Sequence, residues 1–215
     1  MAVSGFLMVG FLLAHMLGNL WVFAGQARFD TYAEHLRTIG EPMLPHAAAL
    51  WVIRIVLVTS LVVHVVSAVT LWRRANRARG GAGARYRSKA NTRGVQRSYA
   101  SFTMRYGGIV VLLFIVFHLL HLTANAIHPG GESTSPYERV VWGFQIWWVT
   151  LAYAVAMTAV GLHLRHGIWS AAASIGANTS PRRRARLNVI ATLVSLVITV
   201  GFLAPAFSIL FGWVG

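Results

Sequence analysis

The stretch GGIVVLLFIVFHLLHLT, at residues 107–123, contains two histidines and no Asp, Glu, Lys or Arg. Its apolar run approaches the roughly 20 residues that a helix needs to cross a bilayer, and four other blocks of the chain are similar. We therefore predict membrane spans at 3–24, 46–72, 106–127, 142–169 and 189–211. Regular alternation of polar and apolar residues is absent, which argues against a β-barrel. The prediction is an all-α membrane protein with one transmembrane domain over 1–215.

The composition also indicates a membrane protein. Of the 215 residues, 56% are hydrophobic and 11% are charged, and the mean hydropathy is +0.60, whereas a soluble domain has about 25% charged residues. These values exclude a soluble enzyme, a disordered chain and a DNA-binding domain, so the net charge of +14 is not attributed to nucleic acid. The chain has no cysteine, which excludes disulfides and iron–sulfur ligation within it and leaves nine histidines as soft metal ligands.

The basic residues indicate the topology. The loop at 73–105 carries ten Lys and Arg residues and no acid, and the loop at 170–188 carries four arginines. The positive-inside rule places the N-terminus and both loops in the cytoplasm and the C-terminus outside. We interpret the first loop either as a tether for lipid headgroups or as a docking surface for a soluble partner. The first apolar block lacks a basic leader and a cleavage site, so it is interpreted as a retained span.

Four intramembrane histidines fall at two matched depths. At about 1.5 Å of rise per residue, His15 and His118 each lie roughly 18 Å from the cytoplasmic face. His64 and His163 lie closer to that face, at about 13 Å and about 9 Å. Because polar side chains inside a bilayer are costly, each requires a partner. The depths predict an outer and an inner pair, each joining two helices, as bis-histidine ligation of haem in a helix bundle requires.

Other interpretations of these histidines stay open at this point. A single intramembrane histidine commonly forms only an interhelical hydrogen bond. His121 lies one turn from His118, and His166 lies one turn from His163, so spacing alone does not choose the ligand in either set. We expect His121 and His166 to hydrogen-bond a haem propionate or a quinone. The remaining three, expected to be solvated at the outer surface, are His35, His46 and His128.

Arg54 is the one basic residue deep inside a span, at about the level of the outer pair. We expect it to pair with a haem propionate, and the alternative is that it extends to the outer surface. Glycines at 107, 108, 161 and 167 would admit a macrocycle or, alternatively, allow close helix packing. The fifth span has no histidine and is expected to serve in packing.

Several segments carry a family resemblance. The chain contains FLLAHMLGN at 11–19, LVVH at 61–64, FHLLHLT at 117–123 and GLHLRHGIWS at 161–170. These segments resemble the cytochrome b subunit of succinate:quinone oxidoreductases, in the branch whose single five-helix anchor carries two haems, as in Gram-positive bacteria. The segment QRSYASFTMRYGG at 96–108 is similar to its actinobacterial members. The resemblance covers nearly the whole chain, and its most specific part runs from His163 to Ser170.

The resemblance implies a ligand set. His15 and His118 would be axial ligands of an outer haem b, and His64 and His163 those of an inner haem b. The position of His166 need not be histidine in the family, which favours His163. A quinone, expected to be menaquinone, would bind near the inner haem through Ser101, Arg105, His166 and Trp169, or near the outer haem through Arg54, His121 or His128.

The resemblance also implies partners in the cytoplasmic membrane. An iron–sulfur subunit, and through it an FAD flavoprotein subunit, would dock on the cytoplasmic face, and this chain would carry electrons from the iron–sulfur subunit to quinone. The iron–sulfur clusters and FAD belong to those partners. This chain would be a non-catalytic subunit, with no catalytic residue and no succinate-oxidising site. A small additional membrane subunit or an oligomer is a further expected association.

Three rival functions remain. The same architecture would also serve fumarate reduction, because the direction depends on potentials set around the haems. A cytochrome b anchor of a hydrogenase or formate dehydrogenase also uses intramembrane histidines. A haem-free transporter with histidines on a proton path would be expected to carry acids within its spans, and none of the five acidic residues lies in a predicted span.

Overall fold

The computed structural model describes residues 1–80 and 95–215 of the chain. These residues form helices and no strand. The helices are α1 (Ala2–Asn19), α2 (Gln26–Thr38), α3 (Ala48–Gly80), α4 (Val95–His118), α5 (Pro136–Gln145), α6 (Trp147–Ser174) and α7 (Pro181–Leu210). A 3-10 turn, Leu20–Ala24, continues α1, and a π-helical turn, Leu119–Thr123, continues α4.

The prediction of an all-helical chain with five helices able to cross a membrane is confirmed. By length and hydropathy these segments are Ala2–Ala24, Ala48–Ala75, Met104–Thr123, Trp147–Ser174 and Pro181–Leu210. Large apolar side chains are exposed along them, because lipid rather than water would face these surfaces.

The helix ends differ from the predicted spans in several places. α3 continues to Gly80 beyond the predicted end at 72, and α4 begins at Val95, before the predicted start at 106. The third apolar helix ends in the π-helical turn at Thr123, four residues before the predicted end at 127. The predicted span at 142–169 is divided, because α5 ends at Gln145 and α6 begins at Trp147. The fifth membrane-spanning helix, α7, begins eight residues before the predicted start at 189, since Ser180 caps its first turn and Pro181 occupies the first helical position. Its four arginines therefore lie on helix. Of the predicted loop at 73–105, residues 81–94 lie outside the described part.

Two short helices, α2 and α5, pack together at one end of the bundle. The carboxylate of Asp30 in α2 accepts hydrogen bonds from Ser135 Oγ at 2.6 Å and from Tyr137 N at 3.0 Å. The Gln26 amide donates to Glu138 Oε1 at 3.2 Å. We refer to this pair of helices as the outer cap, because they lie on the side of the spans predicted to face outward.

Helix α6 is the centre of the bundle. Its buried residues recur at intervals of three and four, which makes one continuous apolar stripe. It packs against α1, α4 and α7, while α3 packs chiefly on α1. Residues buried in the two core clusters include Val149, Tyr153, Met157, Val160, Leu164, Ile198 and Ile209.

The four membrane-spanning helices that carry histidines form an open arc in the order α3, α1, α6, α4. Neighbours in this arc pack side by side, but among the described residues α3 makes no extended contact with α4 or α6, and α1 makes none with α4. Contacts between α1 and α4, or between α3 and α6, must therefore be made by side chains that reach across the arc.

Candidate functional site

The outer pair of histidines lies across the arc, between α1 and α4. The imidazole centres of His15 and His118 are 5.8 Å apart, and their planes make an angle of 79°. The His15 ring stacks on Phe11, with centroids 5.2 Å apart, and lies 5.5 Å from the ring of Phe202 in α7. Aromatic side chains thus fix the ring of His15 while it faces His118.

The inner pair lies across the arc in the other direction, between α3 and α6. The ring centres of His64 and His163 are 6.3 Å apart, with an interplanar angle of 62°. The hydroxyl of buried Ser4 lies 3.4 Å from His64 Nδ1 and donates to the Met1 carbonyl at 3.0 Å. Ser4 is a residue that the sequence analysis did not select.

The two pairs are separated along the bundle axis by about ten residues of helix. A Cβ placed on Gly5 would lie 3.8 Å from His64 Cε1, and one placed on Gly108 would lie 3.6 Å from His163 Cε1. His15 follows Gly5 by ten residues in α1, and His118 follows Gly108 by ten residues in α4. At 1.5 Å per residue, each helix therefore puts the two levels about 15 Å apart.

His118, and not His121, faces His15. The π-helical turn begins directly after His118, and it turns His121 towards α5 and α6. His121 is buried, its Nδ1 lies 3.0 Å from Tyr153 Oη, and its Nε2 lies 2.7 Å from where a Cβ on Gly143 would be. Nδ1 of His121 is therefore engaged with α6, and Nε2 lies against the backbone of α5.

Within the second set, the ring that faces His64 is that of His163. His163 Nδ1 is buried and has no hydrogen-bond partner among the described residues. A buried imidazole nitrogen without a partner is costly in an apolar bundle. His166 lies one turn further along α6 and is half-buried.

Each pair has the spacing of two imidazoles bound to one metal ion. An imidazole–metal bond is about 2 Å long, and a ring nitrogen lies about 1 Å from its ring centre, so opposed rings have centres about 6 Å apart. The observed values, 5.8 and 6.3 Å, agree with this distance. No group of three His, Cys, Asp or Glu able to hold a metal occurs in the described part of the chain. Two opposed ligands suit haem iron, because the porphyrin supplies the other four nitrogens.

The other predicted site residues are placed as follows. The Arg54 guanidinium lies over the Trp51 ring, 4.9 Å from its centroid, and is partly exposed. Arg105 is exposed and Trp169 is half-buried. The Ser101 side chain lies outside the described part of the structure. The three remaining histidines are exposed, namely His35, His46 and His128.

Arg105 and His166 lie at one level of the bundle. Gly108 in α4 faces His163 in the antiparallel helix α6. Arg105 precedes Gly108 by three residues, and His166 follows His163 by three. Because the two helices are antiparallel, both residues lie at the same level, about one turn from the inner pair. Arg54 precedes His64 by ten residues in α3, which puts it near the level of the outer pair.

Tyr153 is the main site residue that sequence reasoning missed. It is 5% exposed, and its ring is surrounded by the rings of Phe114, Phe117 and Phe144. Its hydroxyl contacts both His118 and His121. The signal was present, since a tyrosine in the middle of an apolar span carries a polar group that requires a partner, just as a histidine does.

The paired histidines are the feature on which the function of this chain is best argued. No family model, curated protein or solved structure matches the chain. The pairs join helices that do not pack side by side, at two levels of the bundle, with ring centres 5.8 and 6.3 Å apart.

Proposed function

We propose that this chain is a membrane subunit that binds two haems b and carries electrons to a quinone. The observation that carries the proposal is the presence of two inter-helix histidine pairs, with ring centres 5.8 and 6.3 Å apart. His15 and His118 would hold the outer haem, and His64 and His163 the inner one. A lone intramembrane histidine has simpler explanations, but two pairs at two levels, each joining two spans, are the arrangement that bis-histidine ligation of two haems requires.

We further propose that the subunit anchors a succinate:quinone oxidoreductase, on the basis of the sequence resemblance. The iron–sulfur and flavoprotein subunits would then dock at the end of the bundle that carries the arginines of α3 and α7, in the cytoplasm. Those partners would hold the iron–sulfur clusters and FAD, and succinate would be oxidised there. The N-terminus would be cytoplasmic and the C-terminus outside, in the cytoplasmic membrane. The same anchor would serve a fumarate reductase if the potentials favour the reverse direction.

The side chains around the two pairs would orient the haem ligands and determine which ring nitrogen binds iron. Haem, when bound, supplies a one-electron redox centre. Phe11, which stacks on the His15 ring, and Phe202, whose ring lies tilted beside it, would fix the direction of that ligand. Tyr153 and Ser4 each lie beside the Nδ1 of one ligand, so the Nε2 of that ring is the nitrogen left to bind iron. The apolar spans exclude water from both levels.

For the quinone, the inner end of the bundle has the better-supported residues. Arg105 and His166 come from two helices that bring them to one level, one turn from the inner pair, and Trp169 lies one further turn along α6. An arginine and a histidine can both donate hydrogen bonds to a quinone oxygen. At the outer level, Arg54 already stacks on Trp51, and His121 is enclosed by Tyr153 and Gly143.

The test is a haem count on the purified complex. A reduced-minus-oxidised spectrum with a pyridine haemochrome assay is expected to give two haems b per chain. His15→Ala and His64→Ala are each expected to lose one haem and retain the other, because they remove ligands of different sites. His35→Ala, which changes an exposed histidine of α2, is the matched control and should retain both. A wild-type complex without haem would overturn the proposal and favour a proton path or packing role.

The identity of the enzyme requires a separate measurement. Succinate:quinone reductase activity in the purified complex, with flavin and iron–sulfur subunits present, would support the anchor assignment. Co-purification with hydrogenase or formate dehydrogenase subunits would overturn it while leaving the haem assignment intact.

A further inference from the structure

Tyr153 brings a hydroxyl into the most aromatic part of the bundle. The Phe114 and Phe144 rings pack edge-on against it at 4.9 and 4.8 Å. A hydroxyl buried in such surroundings costs free energy unless it is hydrogen-bonded. Its position is therefore explained by the groups that it contacts.

Those groups are the two neighbouring histidines of α4 and its π-helical turn. Tyr153 Oη lies 3.0 Å from His121 Nδ1 and 3.4 Å from His118 Nδ1. His121 lies within this turn, which closes with Ala124 N bonded to the Leu119 carbonyl five residues back. π-Helical turns within helices occur frequently at functional sites.

The hydrogen bonds in this cluster have one self-consistent direction if His118 binds iron through Nε2. A neutral His118 then carries its proton on Nδ1 and donates it to Tyr153 Oη. The tyrosine hydroxyl is free to donate to His121 Nδ1, which leaves the His121 proton on Nε2, beside Gly143. Each of the two bonds then has one donor and one acceptor.

We infer that Tyr153 and His121 are positioning residues that lower the reduction potential of the outer haem. The inference rests on the haem binding proposed above and names a regulation of that site. An acceptor at Nδ1 increases electron donation from the ligating imidazole to the iron, which favours the oxidised state. His121 strengthens the effect, because an acceptor behind the tyrosine hydroxyl polarises its oxygen. At the inner pair, the Ser4 hydroxyl donates a hydrogen bond to the Met1 backbone carbonyl and not to a second imidazole.

The test is a redox titration of Tyr153→Phe, with the two haems followed separately by their spectra. The outer haem is expected to become easier to reduce, with the ratio of reduced to oxidised haem rising about ten-fold at a fixed potential, which is about 59 mV for one electron. The inner haem should keep its potential and serves as the internal control. Tyr137→Phe, which removes a hydroxyl in the outer cap and leaves His118 and His121 untouched, should change neither potential.

If Tyr153→Phe loses the outer haem, a second variant, His121→Leu, tests the same inference. His121→Leu leaves the tyrosine in place but removes its acceptor, so a smaller rise of the same sign is expected. An unchanged outer potential with both haems bound in either variant would overturn the inference but not the haem assignment. Equal shifts of both haems would overturn it too, because they would indicate a general structural change. Absence of haem from the wild-type chain would overturn the proposed function, and this inference with it.

Discussion

The outer and inner histidine pairs have nearly the same ring spacing but different surroundings. The outer pair is surrounded by aromatic rings, and its His118 contacts a tyrosine that is itself bonded to a histidine. At the inner pair, glycines lie beside the rings, since positions 5 and 108 are the backbone next to His64 and His163. One hydroxyl, from Ser4, reaches His64. A similar ring spacing is thus surrounded by side chains at the outer pair and by glycine backbone at the inner pair.

This difference predicts which kind of substitution will disturb each pair. Around the outer pair, aromatic side chains and a tyrosine hydroxyl hold the two rings, so removal of a polar atom should change the electronic properties of this site. Around the inner pair, the space depends on the absence of side chains, so addition of atoms should change occupancy. The predictions below test this contrast.

The largest effect is expected from adding a side chain at the inner pair. A Cβ on Gly108 would lie 3.6 Å from His163 Cε1 and 3.9 Å from Nδ1, so the branched end of leucine would occupy the space of the imidazole. Gly108→Leu is therefore expected to lose the inner haem and keep the outer one, halving the haem count per chain.

Gly107→Leu is the matched control for this prediction. It adds the same atoms to the same helix, one residue away, where a Cβ would meet nothing within 4 Å. Retention of two haems in Gly108→Leu would contradict a backbone-lined inner site.

A smaller effect, on stability, is expected where α5 packs on the outer cluster. A Cβ on Gly143 would lie 2.7 Å from His121 Nε2, and His121 cannot withdraw easily because Tyr153 holds its other nitrogen. Gly143→Ala should lower the free energy of unfolding by about 1–3 kcal/mol, as overpacking does. Thermal unfolding in detergent, followed by circular dichroism, measures this loss.

Gly10→Ala is the comparison variant, because a Cβ there meets nothing within 4 Å. An alanine in a helix interior is more favourable than glycine by roughly 1 kcal/mol, so this variant should not be destabilised. Equal stability of Gly143→Ala and wild type would mean that His121 is less firmly held than the geometry indicates.

Much of the fold, and the grouping of the histidines, could be predicted from the sequence. Apolar length identified five spans, and the fixed rise of a helix gave the depth of each histidine. The structure brings His15 beside His118 and His64 beside His163. The predicted depths group the histidines as the structure does, but they put the two levels only about 5–9 Å apart, whereas the helices put them about 15 Å apart.

The cluster around Tyr153 could not be predicted in the same way. A π-helical turn inside an apolar run depends on tertiary packing and leaves no mark on composition or periodicity. The order of helices in the arc also depends on contacts between distant segments. By contrast, α5 carried a readable signal, because Ser135 accepts from Glu138 N in the Ser-Pro-Tyr-Glu sequence that begins this helix.

The smallest effect is expected at Ser4, the inner counterpart of Tyr153. Its oxygen can accept from His64 Nδ1 at 3.4 Å while its hydroxyl donates to the Met1 carbonyl. Ser4→Ala removes that acceptor, so the inner haem should become easier to reduce, by less than Tyr153→Phe shifts the outer one. The shift should be smaller because the backbone carbonyl that accepts from Ser4 is a weaker acceptor than the imidazole that accepts from Tyr153, and so polarises the hydroxyl oxygen less. Ser60→Ala, a buried serine one turn from His64 in α3, is the control and should leave the inner potential unchanged. A Ser4→Ala shift as large as that of Tyr153→Phe would mean that a single hydroxyl acceptor is enough, and that His121 adds nothing to the outer site.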